Sequence, residues 1–249
     1  MPLLLRLSET ISATRGLTVS IFALDYSLAP EHPFPCQLSQ AATAYTYLTT
    51  ELNIPPSNIV LTGDSAGGSI ALSLLTHLRQ PNPGVEMVLP REEKPKALFL
   101  LSPWVSLASE KGYKEKEASD ILHPASLAGC VRYLLPTPAA VADAAPYLEF
   151  ATPTPSRSCN FNELLPEHVW VSAGEDEIFL HNITSFVDEA RKSGVKVEYE
   201  IESGKFHDWQ LFDSVQNAGV FLGKERGARD EGEMEGVERI GRAVAGVFD

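Results

Sequence analysis

Six residues, Gly63-Asp64-Ser65-Ala66-Gly67-Gly68, stand between an apolar run at 58–62 and a longer apolar run that begins at Ile70. A serine with glycine two residues away on each side suits a sharp turn from a strand into a helix. Only glycine tolerates the close backbone approach that such a turn forces. The turn demands an α/β arrangement around it and pushes the Ser65 hydroxyl outward, beside the N–H groups of a helix N-terminus. The motif is short, so the rest of the chain decides its weight.

The flanking pattern supplies alternating elements. Leu3, Leu4, Leu7 and Ile11 fall at helical spacing, and Gly16 follows as a stop. Residues 17–24 are β-branched and apolar and predict a buried strand. That strand runs into Asp25-Tyr26-Ser27-Leu28-Ala29-Pro30-Glu31-His32-Pro33-Phe34-Pro35, where prolines end regular structure. A helix is expected at about 37–52 and a short strand at 58–62. After Ser65, the residues Ile70, Ala71, Leu72, Leu74, Leu75 and Leu78 make a helix apolar on nearly every side, which suits the interior.

Further strands are expected at 97–101, closed by Ser102-Pro103-Trp104, at 168–173, closed by Gly174-Glu175-Asp176-Glu177, and at 195–201. A helix at about 179–192 separates the last two. Residues 223–236 are charge-rich with four glycines and predict a solvated loop. Met234, Val237, Gly241, Val244 and Phe248 then line one face of a closing helix. Strand and helix in alternation predict a mainly parallel sheet with helices on both faces. Between about 105 and 166 no period is sustained, which reads as a cap or lid inserted over the sheet, so residues 1–249 form a single domain with that insertion.

Composition narrows the function. A formal net charge of -13 argues against a nucleic-acid or anionic-membrane partner, which needs clustered Lys and Arg. Three cysteines, Cys36, Cys130 and Cys159, are too few and too scattered for a disulfide framework or a zinc site, and they read as reduced thiols of a cytoplasmic protein. The leucines at 3–5 are too short a run for a signal-peptide core, and no apolar run reaches the roughly 18 residues of a membrane span. No phosphate loop or metal motif appears, so neither cofactor nor metal is implied.

A serine hydroxyl needs a base to become a nucleophile, and the base needs a carboxylate to hold its tautomer. In open α/β sheets such groups sit on loops just past strand C-termini. Ser65 follows the strand at 58–62, Asp176 the strand at 168–173, and His207 the strand at 195–201. The order is serine, acid, histidine. His77, His168 and His181 fall within regular elements, and His32 between Glu31 and Pro33 suits a turn.

Asp25 to Pro35, Gly63 to Gly68, Ser102-Pro103-Trp104, the residues from Gly174 to Ile178, and His207 together resemble the hormone-sensitive-lipase family of α/β hydrolases. The resemblance spans about residues 17–215. It implies carboxylic-ester hydrolysis of a small-molecule substrate, with Ser65 as nucleophile, Asp176 as acid and His207 as base. Asp64 and the glycines would shape the turn, and the Ala66 N–H would be one oxyanion donor. The family carries a His-Gly-Gly-Gly loop well before the motif at Asp25, and no glycine run precedes Asp25 here. The resemblance thus implies an N-terminally truncated chain, without that loop and without the strand between those matched by 17–24 and 58–62. Either the two flanking strands then pair directly, or the chain is a fragment of an active parent. The rival reading is a weakly active or non-catalytic small-ligand binder on the same fold, and nothing in the sequence sets an oligomeric state.

Overall fold

The structure, a computed structural model, describes residues 2–85, 93–107, 111–225, 229 and 231–248. In chain order the elements are α1 (Pro2–Arg15), α2 (Cys36–Thr46), β1 (Val60–Asp64), α3 (Ser65–Arg79), β2 (Ala97–Leu101), α4 (Lys111–Lys116), α5 (Pro124–Leu134), α6 (Pro138–Leu148), α7 (Phe161–Leu164), β3 (His168–Gly174), α8 (Leu180–Lys192), β4 (Val197–Glu202), α9 (Trp209–Gln216), α10 (Ala218–Gly223) and α11 (Glu235–Gly246). They fall into two compact units, one of residues 24–207 and one of residues 1–23 with 208–249. The sequence reads as one domain and gives no sign of this division.

The larger unit holds an all-parallel sheet in the order β1-β2-β3-β4. Leu98, Leu100, Val169 and Val171 share a core with Leu72 and Leu75 of α3 and with Phe186 and Val187 of α8. On the opposite face Phe99 and Trp170 are register partners, their rings 5.7 Å apart, and both are buried. Burial on both faces explains why these strands read as unbroken apolar runs rather than alternating ones. The turn that follows β1 and the loops that follow β3 and β4 leave from the same, C-terminal end of the parallel sheet.

One expectation needs correction. Residues 17–24 form no strand, and the side chains of Ile21 and Phe22 are 43% and 51% exposed. A β-branched run becomes a strand only where it finds a partner, and β1 is the sheet's edge, bonded to β2 alone. The direct pairing of these two segments does not form among the described residues.

The insertion contains short helices that pack on the core. Two of its helices start with a capping side chain followed by proline at the first helical position: His123 Nδ1 accepts the Ala125 N–H, and Thr137 Oγ1 accepts the Ala140 N–H. α6 lies on α3, where Ser73 Oγ donates to the Tyr147 carbonyl at 2.6 Å and Tyr147 Oη donates to the Gln80 carbonyl at 3.0 Å. Phe150 and Phe161 both meet Phe186 edge-on in the main core.

The smaller unit is helical. Its α1 and α11 are joined by a buried ion pair in which Arg6 Nε and Nη2 both donate to Glu238 Oε1, at 3.0 and 2.6 Å. Phe221, Met234 and Val237 form its apolar centre, and Gly16 ends α1 with φ at +68°. Of the loop expected at 223–236, residues 226–228 and 230 lie outside the described residues. Among the described residues no helix is long and apolar enough to cross a membrane.

Candidate active site

β1 passes into α3 with no intervening loop, and Ser65 sits at the joint with φ at +47°. A non-glycine residue in the left-handed region carries strain that surrounding contacts must hold in place. Here the reason lies at Gly63, where a Cβ would fall 2.4 Å from both the carbonyl carbon and the oxygen of Gly67. Nothing larger than glycine lets the chain double back so closely. A Cβ at Gly67 would meet Asp64 Oδ1 at 3.9 Å, an ordinary contact, Gly68 packs against Pro103, and Asp64 is the exposed residue that precedes the helix.

The segment Ser102-Pro103-Trp104, which follows β2, clamps this turn. The Trp104 N–H donates to the Ser65 carbonyl at 2.9 Å, and Ser69 Oγ donates to the Trp104 carbonyl. Ser65 and Ala66 open a helix of fifteen residues, so their free N–H groups and the helix dipole favour negative charge next to the hydroxyl.

His207 lies on the loop after β4, 3% exposed. Its Nε2 is 2.9 Å from Ser65 Oγ, the contact a general base requires when Nε2 is the acceptor. Phe179 stands edge-on to the imidazole at 5.1 Å and stacks on Trp104 at 5.6 Å, which closes one side of the base with apolar surface. Two of the three residues expected at the centre are therefore brought together.

Asp176 is placed otherwise than expected. Its Oδ1 takes Lys116 Nζ at 3.3 Å, toward the insertion, and its side chain is 39% exposed. The carboxyl buried with His207 belongs to the next residue, Glu177, which has no exposed surface at all. Glu177 Oε2 accepts from Ser102 Oγ and from the Gly174 N–H, both at 2.7 Å. Its Oε1 is out of reach of solvent and accepts no hydrogen bond from a described residue. Burial pushes this carboxyl up to about 7, against the opposing pull of the positive charge that His207 can carry.

Three adjacent acids thus face three ways. Glu175 turns to Ser203 Oγ and the Gly204 N–H, bonds that hold its carboxyl below the usual range. A clue to Glu177 was present in the sequence: it directly precedes Ile178 and Phe179, the apolar residues that enter the core. Ser102 gave no such signal, since its part depends on a left-handed φ of +42° that turns its hydroxyl toward Glu177.

Comparison with known proteins identifies the family of the fold. The family model for the alpha/beta hydrolase fold matches residues 9–211. An esterase of Acinetobacter venetianus is 28% identical over 201 residues, covering 79% of this chain and 59% of the relative. An acetyl-hydrolase of Streptomyces hygroscopicus is 29% identical over 227 residues, covering 87% of this chain and 68% of the relative. The chain thus spans about three fifths of the length of the first and two thirds of the second. Among solved structures, an esterase from the bacterial hormone-sensitive lipase family is 25% identical with a TM-score of 0.68, covering 96% of this chain and 69% of the other. The chain belongs to the alpha/beta hydrolase fold family, in its hormone-sensitive-lipase branch.

Proposed function

We propose that the protein is a serine hydrolase that cleaves carboxylic esters of small or medium acyl chains through an acyl-enzyme. The observation that carries this reading is the 2.9 Å contact between Ser65 Oγ and His207 Nε2 at a strained strand-to-helix turn. Ser65 Oγ attacks the ester carbonyl while His207 Nε2 takes its proton. The oxygen that becomes negative meets the Ala66 N–H and the N-terminus of α3. Collapse breaks the bond to the alcohol, which leaves with the proton from His207. A water then gives its proton to His207 and its oxygen to the acyl carbon, releasing the acid and restoring Ser65.

Glu177 acts through His207. A carboxylate next to the ring holds Nδ1–H toward itself and favours the imidazolium that forms in the transition state. Of Asp176 and Glu177, Glu177 is the buried one, which supports giving it the role expected for Asp176. An acetyl-hydrolase and an esterase among the relatives support esters with short acyl groups as the substrate class. Three cysteines without a disulfide support a cytoplasmic location.

The test is hydrolysis of a series of p-nitrophenyl esters from acetate to laurate. The expected result is turnover that is highest on the shorter esters and vanishes in Ser65→Ala. Turnover of the native chain no faster than that of Ser65→Ala overturns the reading.

A further inference from the structure

Asp120 ends the turn that follows α4, within the insertion between β2 and β3. Its carboxylate collects backbone N–H groups from three places. Oδ1 accepts from Ile121 at 2.7 Å and from His207 at 3.1 Å, and Oδ2 accepts from Ile178 at 2.6 Å. Ile178 directly follows Glu177, and His207 is the base itself. One side chain of the insertion therefore grips the backbone of both loops that carry the chemistry.

Other bonds join those loops ahead of the reacting groups. The Glu175 N–H donates to the Glu202 carbonyl and the Asp176 N–H to the Lys205 carbonyl, each at 2.8 Å. These bonds seat residues 174–176 against 202–205. The residues beyond them, Ile178 and His207, are the two that Asp120 takes. Two neighbours extend the grip outward: Ser119 Oγ donates to the Asp176 carbonyl at 3.0 Å, and Lys116 Nζ meets the Asp176 carboxylate. Asp120 also lies close enough to Glu177 for its charge to push that carboxyl upward.

We infer that Asp120 is a positioning residue for ester hydrolysis, holding the His207 backbone from the insertion so that Nε2 stays within reach of Ser65. The inference rests on the hydrolase reading for its effect on turnover, but not for its effect on His207. Hydrogen bonds to a carboxylate are about twice as strong as neutral ones, and a shift of about 1 Å at a reacting group costs on the order of a hundred-fold in rate. Asn in place of Asp120 keeps the shape and gives up one accepting oxygen. Whichever way the amide turns, an NH2 group then faces a backbone N–H.

The experiment compares the full chain with Asp120→Asn and with Lys116→Ala, which removes only the outer contact to Asp176. On p-nitrophenyl butyrate, Asp120→Asn is expected to lower kcat by about ten- to a hundred-fold with KM held within about two-fold, and Lys116→Ala to leave both near native values. Two measurements need no turnover. In the native chain the amides of Ile178 and His207 should resist hydrogen exchange. In Asp120→Asn the imidazole nitrogen resonances of His207, identified by their loss in His207→Gln, should move.

A native chain in which those two amides exchange as fast as that of Gly204 overturns the inference even if the variant does not fold. So does an Asp120→Asn protein with native kcat and native imidazole resonances. A native chain without turnover counts against the hydrolase reading alone, because the exchange and resonance measurements still decide the place of Asp120.

Discussion

Glu177 holds a carboxyl where no atom meets solvent, and its ordinary value of 4.5 rises to about 7. Burial is the largest cause; the His207 charge and the bonds from Gly174 and Ser102 all pull the other way. The group therefore gives up its proton near neutral pH, and positive charge on the imidazole beside it favours that loss. Exchange of Glu177 for Gln removes that option. Glu177→Gln is predicted to lower kcat on p-nitrophenyl butyrate by roughly 10³- to 10⁴-fold, and Asp176→Asn to change it by less than about three-fold.

The same variant carries a stability signature. Between 4.5 and about 7 the folded protein keeps the Glu177 proton that the unfolded chain has lost, so the group favours folding fully at low pH and loses that benefit as pH rises through about 7. A shift of this size is on the order of 3 kcal/mol above pH 7. Glu177→Gln should therefore melt higher than the native chain at pH 8 and close to it at pH 4, as read by thermal denaturation. An Asp176→Asn protein that loses activity while Glu177→Gln retains it would return the acid's role to Asp176. At this scale Ser65 and His207 were legible, since motif and chain order name them. The choice among Glu175, Asp176 and Glu177 was not, because it depends on which way each side chain of one tight turn points.

At the scale of elements, the site is a meeting of loops at the C-terminal end of a parallel sheet, and glycine sets how closely they meet. At Gly174 a Cβ would lie 2.2 Å from the Lys205 carbonyl oxygen and 2.8 Å from that of Phe206. Gly174→Ala must push the base loop away from the acid turn, since no flexible side chain is there to yield. It is predicted to lower the melting temperature by several degrees and kcat by at least about ten-fold. A variant with native kcat would mean that the loop placement of His207 does not depend on this contact.

β2 and β3 were visible as apolar runs, because burial on both faces leaves few polar residues to interrupt them, whereas β4 alternates, with Glu198, Glu200 and Glu202 between its apolar residues. The run at 17–24 looked the same and is not a strand, because composition records a preference for pairing and not the presence of a partner. In the insertion no sustained period was visible, and its helices are short pieces, two of them opened by a capping side chain and then Pro124 or Pro138.

At the scale of the whole molecule, a 249-residue chain with net charge -13 forms two compact units. Ser65, Ser102, Asp120, Glu177 and His207 all lie in residues 24–207. The resemblance to hormone-sensitive lipases pointed to this fold, and the family match over residues 9–211 bears it out. The insertion supplies Asp120 to the loops that carry Ile178 and His207, and α6 to the core.

The central claim is that Ser65 is a nucleophile activated by His207, and mass spectrometry after treatment with a fluorophosphonate tests it most directly. The account predicts one covalent adduct per chain, mapped to the peptide that contains Ser65 and absent from Ser65→Ala and His207→Ala. Folded native protein that stays unlabelled, or carries the adduct on another residue, would contradict it.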